Sequence, residues 1–210
     1  WQDATHTSYG VGTLGIRYSI FKIEGSVFTG REPDENRYDF DPALFDSYSF
    51  RLSANPTNQL ALQFSRGYLK SPEVFEANKD QVKTTSSLMH HLPLSGQNKY
   101  LATSLILGSN KSDHIEHSVL LESNLQLNHV AVYGRCEYVQ KEAADLGLLI
   151  DRVEIYTIGA FTLGANRVFW RRSGFNLAAG MQGSVFLPDK RIQDLYGRLP
   201  VSAEIYLRLY

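Results

Sequence analysis

The sequence predicts an all-β protein, and more specifically an antiparallel up-and-down transmembrane β-barrel. Three observations support this prediction. Apolar and polar residues alternate with a period of two, the alternating segments have about the 9–11 residues with which a tilted strand crosses a bilayer, and the connections alternate between short and long. In one clear example, Val119, Leu121 and Leu125 fall on one side of a segment, and Glu122 and Asn124 fall on the other. Strict alternation of this kind places successive side chains on opposite faces of a strand.

About eleven segments follow this pattern, and no segment has a comparably clean helical period. The predicted strands cover residues 7–18, 20–30, 47–54, 60–70, 82–92, 99–108, 117–127, 130–141, 153–166, 174–187 and 200–210.

The lengths of the connections between these strands predict the orientation of the barrel in the membrane. Short connections are predicted near residues 19, 55–59, 93–98, 128–129 and 167–173, and long ones at 31–46, 71–81, 109–116, 142–152 and 188–199. Outer-membrane barrels have short periplasmic turns and long extracellular loops, whereas the connections of a β-sandwich cross between sheets. The rhythm therefore predicts a periplasmic Tyr210 and an extracellular Trp1. Because such barrels normally have an even number of strands, residues 1–210 are expected to be one β-barrel domain, the C-terminal portion of a larger barrel that lacks its first strand or strands.

Composition excludes several classes of protein and site. The 210 residues have a formal net charge of −1, which gives no electrostatic case for a nucleic-acid partner. No run approaches the ~18 apolar residues of a membrane helix. The lone Cys136 excludes an intramolecular disulfide and a cysteine metal cluster. No cofactor and no enzymatic activity are predicted.

Several stretches resemble a known group of proteins. They are WQDATHTSYGVGTLGIR, KIEGSVFTGREPDENRYDFD, DSYSFRLSANPTNQLALQFSRGYLKSPE and, later, LLESNLQLNHVAVYGRCEYVQK. Together they resemble the C-terminal half of an uncharacterised family of Gram-negative outer-membrane β-barrel proteins, most strongly over residues 1–73. The resemblance implies a bacterial outer-membrane location, with lipid and lipopolysaccharide as surroundings and with outer-membrane or periplasmic subunits as possible partners. The resemblance implies no activity, because no activity is established for that family.

The face opposite the apolar one carries charges of both signs. These residues are predicted to face the lumen: Arg17, Lys22, Glu24, Arg51, Glu122, Arg135, Glu137, Glu154, Glu204 and Arg208. Pairing of opposite charges on neighbouring strands is the structural interpretation of such a set. The functional interpretation is a lumen wall whose charges act on solutes in a water-filled pore.

Three local patterns have residue types that occur at sites of chemistry. GVGTLG, with Gly10, Gly12 and Gly15, matches a dinucleotide-binding fingerprint by letter but lies inside a strand, so close strand packing is the better interpretation. His114 and His117 are weak candidates for a metal site, and a solvated polar loop is the simpler interpretation. The acidic segment 31–42 lacks the spacing of a calcium loop and is interpreted as a solvated surface loop, with a weak divalent-ion contact to lipopolysaccharide phosphates as the alternative.

Three functions remain open from the sequence. The first is a porin-like channel for small solutes or ions. The second is a structural or assembly component of an outer-membrane complex, with a barrel that is plugged by bulky inward side chains or filled by a partner. The third is a soluble β-barrel binding protein.

Overall fold

The computed structural model describes residues 9–31, 41–72, 79–148, 154–172 and 174–210. Eleven strands account for most of them. Their bounds are β1 Tyr9–Tyr18, β2 Phe21–Thr29, β3 Ser47–Thr57, β4 Leu60–Leu69, β5 Gln81–Pro93, β6 Lys99–Lys111, β7 Ile115–Leu127, β8 Val130–Glu142, β9 Ile155–Arg172, β10 Phe175–Pro188 and β11 Val201–Leu209. A single four-residue helix, α1 (Gln193–Tyr196), lies between β10 and β11. None of the described helices is long and apolar enough to span a membrane.

The strands form one antiparallel sheet in which each strand lies beside its neighbour in sequence, from β1 to β11. The predicted all-β class, strand count and antiparallel order are therefore confirmed. Among the described residues the sheet is not closed into a barrel, since β1 is bonded to β2 alone and β11 to β10 alone. Residues 1–8, where the first predicted strand begins, and most of the acidic segment lie outside the described residues.

The loop predicted at 109–116 is wrong. β6 continues to Lys111 and β7 begins at Ile115, which leaves only residues 112–114 as the turn. The polar run of Ser109 to Glu116 suggested a loop, but strand pairing does not require apolar side chains, and Asn110 Nδ2 donates to Glu116 Oε2 at 3.5 Å across the hairpin. The connection from β6 to β7 is therefore short, and the predicted alternation of short and long connections does not hold here.

Two other strands, β3 and β9, run at least three residues past their predicted ends. β3 continues through Pro56 to Thr57, and its register against β4 shifts between Ala54 and Thr57. Such an irregularity is where a strand tolerates proline, which cannot donate a ladder hydrogen bond. β9 continues six residues beyond its predicted end at Asn166, to Arg172, in register with β10 for most of that length.

The chain divides into two compact units. The N-terminal unit comprises the described residues up to Leu88 together with Ile106–His117, and the C-terminal unit comprises Met89–Leu105 and Ser118–Tyr210. In the N-terminal unit the register of β1 to β4 keeps apolar side chains on one face, with Ile16 opposite Ile23 and Ile23 opposite Leu52. Arg66, opposite Phe50, is the charged residue on this face of the four strands.

A small cluster of polar groups lies in the N-terminal unit where β2 ends, β3 begins and β4 ends, next to the long connections. Thr29 and Ser47 are fully buried, at 0% and 1% exposure. Ser47 Oγ donates to Asp46 Oδ1 at 3.0 Å and accepts from the Lys70 backbone N–H at 3.0 Å. The backbone N–H of Gly30 also donates to Asp46, at 3.3 Å. A Cβ on Gly30 would overlap Ser47 Oγ, so the glycine is needed for this close approach.

We expect Ser47→Ala to lower the free energy of unfolding by about 1–3 kcal/mol, because it removes two hydrogen bonds, the one accepted from the Lys70 backbone N–H and the one donated to Asp46, each worth about 0.5–1.5 kcal/mol. The matched control is Ser49→Ala, two residues along the same face, whose hydroxyl has no hydrogen bond within the described part of the chain. Urea unfolding in detergent, followed by circular dichroism, measures the difference. Equal midpoints for the two variants would contradict the role of the cluster.

Candidate functional site

The site lies on the polar face of the C-terminal unit, where the register of five strands aligns side chains in rows. One row runs from Glu122 on β7 through Arg135, Thr162 and Ser184 to Ser202 on β11. Because side chains stand perpendicular to a sheet and alternate along each strand, every member of a row projects to the same side.

The next two rows are polar as well. The second runs through Asn124, Tyr133, Gly164, Gln182 and Glu204. The third consists of these residues: Gln126, Ala131, Asn166, Gly180 and Tyr206.

The rows line a recess with a volume of about 1130 Å³. Half of the charged residues predicted to face a lumen line it. They are Glu122, Arg135, Glu137, Glu204 and Arg208. The recess is open to solvent rather than enclosed.

The phenol ends of two tyrosines lie over glycines of the neighbouring strand. A Cβ on Gly164 would come within 2.6 Å of Cε2 of Tyr133, and a Cβ on Gly180 would come within 2.8 Å of Cε2 of Tyr206. The missing side chains therefore provide the space for the rings. An aromatic ring packed over a glycine also restores the contact area that the glycine lacks.

The two phenol groups meet in the middle of the recess. Their hydroxyl oxygens are 2.9 Å apart, and Tyr133 also donates to Gln182 Oε1 at 3.1 Å. Gln182 Nε2 in turn donates to Glu204 Oε2 at 2.8 Å, and Asn166 Nδ2 donates to the Tyr206 hydroxyl at 3.4 Å. Each bond fixes one end of a long side chain, so the network holds both rings in place.

One ion pair of the recess forms along a strand rather than across strands. Arg135 forms an ion pair with Glu137 of its own strand, although Glu122 lies directly opposite it in register. The Nε of Arg135 is buried and has no hydrogen-bond partner in the described structure. A buried donor without a partner costs about 1–3 kcal/mol, so the placement of Arg135 is not optimal for stability, as is typical of functional sites.

Four of the other predicted charges lie on the polar face of β1 to β3 in the N-terminal unit. Arg17 lies opposite Lys22, and Glu24 lies opposite Arg51. Lys22 Nζ is 2.7 Å from Glu24 Oε1, again within one strand. This pair relieves the repulsion that two cations placed directly opposite each other would cause.

The tenth predicted charge, Glu154, takes part in a different structure. It precedes β9 and accepts from Tyr156 Oη at 2.8 Å and from Arg191 Nη1 at 3.4 Å. Arg191 also donates to both carboxylate oxygens of Asp189 and, at 2.6 Å, to the carbonyl of Ile155. We call this group the loop latch, because it joins the segment before β9 to the segment after β10.

Packing reinforces the loop latch. The guanidinium of Arg191 lies 4.4 Å from the ring centroid of Tyr156, a cation–π distance. Tyr156 forms a buried cluster with Ala143 and Ile192, and Tyr196 Oη donates to the carbonyl of Leu146 at 3.0 Å. Sequence reasoning identified both loops but not their contact. The available signal was Asp189, an N-cap residue type directly before the short turn Lys190–Ile192.

The weak metal candidates remain without support. His114 lies in the turn between β6 and β7, and His117 lies in β7. The described residues contain no group of three or more His, Cys, Asp or Glu side chains that could hold a metal ion. The glycines of GVGTLG lie within β1, which confirms the strand interpretation of that motif.

No family model, no curated protein and no solved structure matches this chain.

We expect Gly164→Ala to destabilise the protein by about 1–3 kcal/mol, because the new methyl group displaces the Tyr133 ring and breaks its hydrogen bonds. Gly183→Ala is the matched control, since a Cβ there meets nothing closer than Ser202 O at 3.8 Å. Unfolding midpoints in urea compare the two. If Gly164→Ala is as harmless as Gly183→Ala, the ring does not depend on the glycine.

The loop latch predicts a defined pH dependence. The Arg191 guanidinium, and then the backbone N–H groups of Arg191 and Thr157, hold the pKa of Asp189 well below its usual range. A depressed folded-state pKa stabilises at any pH above the unfolded value of about 3.9, and this stabilisation is lost as the pH falls through the folded value. The latch should therefore hold equally well between pH 5 and pH 8 and weaken only in strong acid.

Asp189→Asn should lower the amide hydrogen-exchange protection of residues 190–196 about tenfold at pH 7, as expected for the loss of a charge-assisted hydrogen bond. The matched control is Asp194→Asn, which neutralises an exposed carboxylate in the same loop. Protection of Asp189→Asn equal to that of the unaltered protein would contradict the latch.

Proposed function

We propose that this chain forms a transmembrane β-barrel of the bacterial outer membrane and acts as a porin-like channel for small solutes or ions. The observation that carries the proposal is the division of the sheet into two chemically distinct faces, one apolar and exposed, the other polar and charged. A barrel in lipid with a water-filled lumen needs this division.

The apolar face is exposed to an unusual degree. Leu14 and Ile16 on β1 are 80% and 74% exposed, and Ile205 and Leu207 on β11 are 83% and 74% exposed. Monomeric soluble proteins rarely expose contiguous apolar patches of more than a few hundred Å². Insertion into lipid would bury this face, and for this reason we rank the soluble binding protein below the membrane barrel.

The apolar face contains few charges, and one of them lies where a membrane protein tolerates it. In the register of β7 to β11 the charged residues on this side are Glu142, opposite Ile155, Arg172, opposite Phe175, and Arg167, opposite Val130, the first residue of β8. Val130 lies at the end of the strands where short turns connect them. An arginine near the interface costs little, whereas at the bilayer midplane it costs about 2–4 kcal/mol.

Closure of the barrel is part of the proposal. Single-chain bacterial barrels normally have an even number of strands, so eleven strands need at least one more to complete an antiparallel ring. The backbone groups on the outer sides of β1 and β11 would pair with the added strand or strands, which removes the two free edges.

Planar bilayers test the channel directly. We expect the purified full-length protein to insert and to give stepwise conductance in molar KCl. A conductance no higher than that of protein-free membranes would overturn the channel proposal.

A structural role in an outer-membrane complex, with a plugged barrel, is the second candidate. Bulky side chains on the polar face favour it, because the Tyr133–Tyr206 pair spans neighbouring rows and Phe186 lines the same recess. Insertion without conductance, together with co-purification of a stoichiometric partner, would favour this candidate over the channel.

The recess charges predict the ion selectivity of the channel. Glu122→Lys should shift the reversal potential in a KCl gradient toward that of chloride, because it places a cation on the pore wall. Glu122→Gln should give a shift of the same sign and about half the size. Asp194→Lys, with the same charge change in an exposed loop, serves as the control. Equal shifts for Glu122→Lys and Asp194→Lys would place the recess outside the ion path.

A further inference from the structure

We propose that the recess of the C-terminal unit is a binding site for a neutral polyhydroxylated solute, an oligosaccharide. This inference rests on the proposed channel and names its substrate class. Its test, however, is an equilibrium binding measurement that does not require conductance.

The first argument is the fixed aromatic surface. The phenol ends of Tyr133 and Tyr206 lie over Gly164 and Gly180, and both side chains line the recess. The face of an aromatic ring carries partial negative charge and attracts the weakly positive C–H groups of a sugar ring. The hydrogen bond between the two hydroxyls immobilises both rings, which lowers the entropy cost of binding.

The second argument is the set of polar groups beside the rings. Asn124 lies opposite Tyr133 in register, and Glu122 lies two residues earlier on the same strand. Neither side chain has a hydrogen bond or an ion pair within the described part of the chain. A carboxylate offers two acceptor oxygens, and an amide offers an acceptor together with two donors. Such groups can bind neighbouring hydroxyls, which both donate and accept.

The third argument is charge balance. The recess contains three carboxylates and two guanidinium groups, and Arg135 and Glu137 neutralise each other. A site for an anion or for a polycation would carry a clear excess of the opposite charge. The remaining lining is dominated by hydroxyl and amide groups, such as the Thr162–Ser184 pair with 2.7 Å between its oxygens. This chemistry selects a neutral, hydroxyl-rich ligand.

Size is consistent with more than one sugar ring. The recess volume of about 1130 Å³ exceeds the 300–1,000 Å³ typical of pockets for drug-sized molecules. Since the recess is open to solvent, an extended ligand can lie along the wall.

Isothermal titration of the detergent-solubilised full-length protein with maltotriose tests the proposal. We expect saturable binding that falls at least about tenfold in Tyr133→Ala and in Tyr206→Ala, because each variant removes an aromatic surface. Tyr138→Ala is the matched control. It removes a tyrosine from the same strand, but from the apolar face, where Tyr138 lies opposite Val119. Its affinity should stay within about twofold.

Two milder variants keep the test decisive if an alanine variant does not fold. Tyr206→Phe retains the ring over Gly180 but removes the bond between the hydroxyls, and it should weaken binding less than Tyr206→Ala does. Asn124→Leu removes polar groups without disturbing a hydrogen bond of the described structure and should weaken binding severalfold. Circular dichroism and the unfolding midpoint verify the fold of each variant.

Several results would overturn the inference. They are the absence of saturable maltotriose binding, equal affinity in the Tyr133→Ala and Tyr138→Ala variants, and preferential binding of spermidine in a parallel titration. Conductance without maltotriose binding would refute the inference and leave the channel intact. Binding without conductance would refute the channel and leave the binding site intact.

Discussion

The constraint on which the rest of the structure depends is backbone pairing in a fixed register. Side chains alternate across a strand with a period of two, so a slip of one residue would exchange the apolar and the polar face of that strand. Tight turns hold this register. Residues 19–20 and 128–129 connect β1 to β2 and β7 to β8, and Ser19 and Asn128 adopt the left-handed conformation, with φ of 52° and 53°. Positive φ at the turn matches the twist of the flanking strands.

The recess is a direct consequence of this register. Neither Gly164 nor Gly180 has a positive φ, so the backbone conformation of its own strand does not require a glycine. The glycines are required by the neighbouring strands, because a Cβ at either position would overlap the ring of Tyr133 or Tyr206. The same register brings Gln182 between a phenol group and Glu204. Residues that are distant in sequence thus form one wall of aromatic, amide and acidic groups, on which both the proposed channel and the proposed sugar site depend.

The long connections of the C-terminal unit are more than links between strands. The loop latch combines ion pairs, a cation–π contact and a small apolar cluster around Tyr156 and Ile192. Cooperation between these contacts matters, because isolated surface ion pairs contribute only about 0–1 kcal/mol. In the proposed barrel the latch would lie at the extracellular end, where long loops are expected.

The sequence by itself determined the strands, their antiparallel order and the chemistry of the two faces. These properties are local, since alternation in segments such as 118–127 depends only on neighbouring residues and on the geometry of an extended chain. The loop predicted from the polar residues at 109–116 was wrong, because polar side chains do not end a strand whose backbone stays paired.

Only the tertiary structure decided which side chains meet. Arg135 pairs with Glu137 and not with Glu122, Glu154 belongs to the loop latch, and the two tyrosines meet over glycines of other strands. Rotamers and register across several strands decide such contacts. A single strand's pattern records the face on which a residue lies, but it contains no information about the partner that the residue finds there.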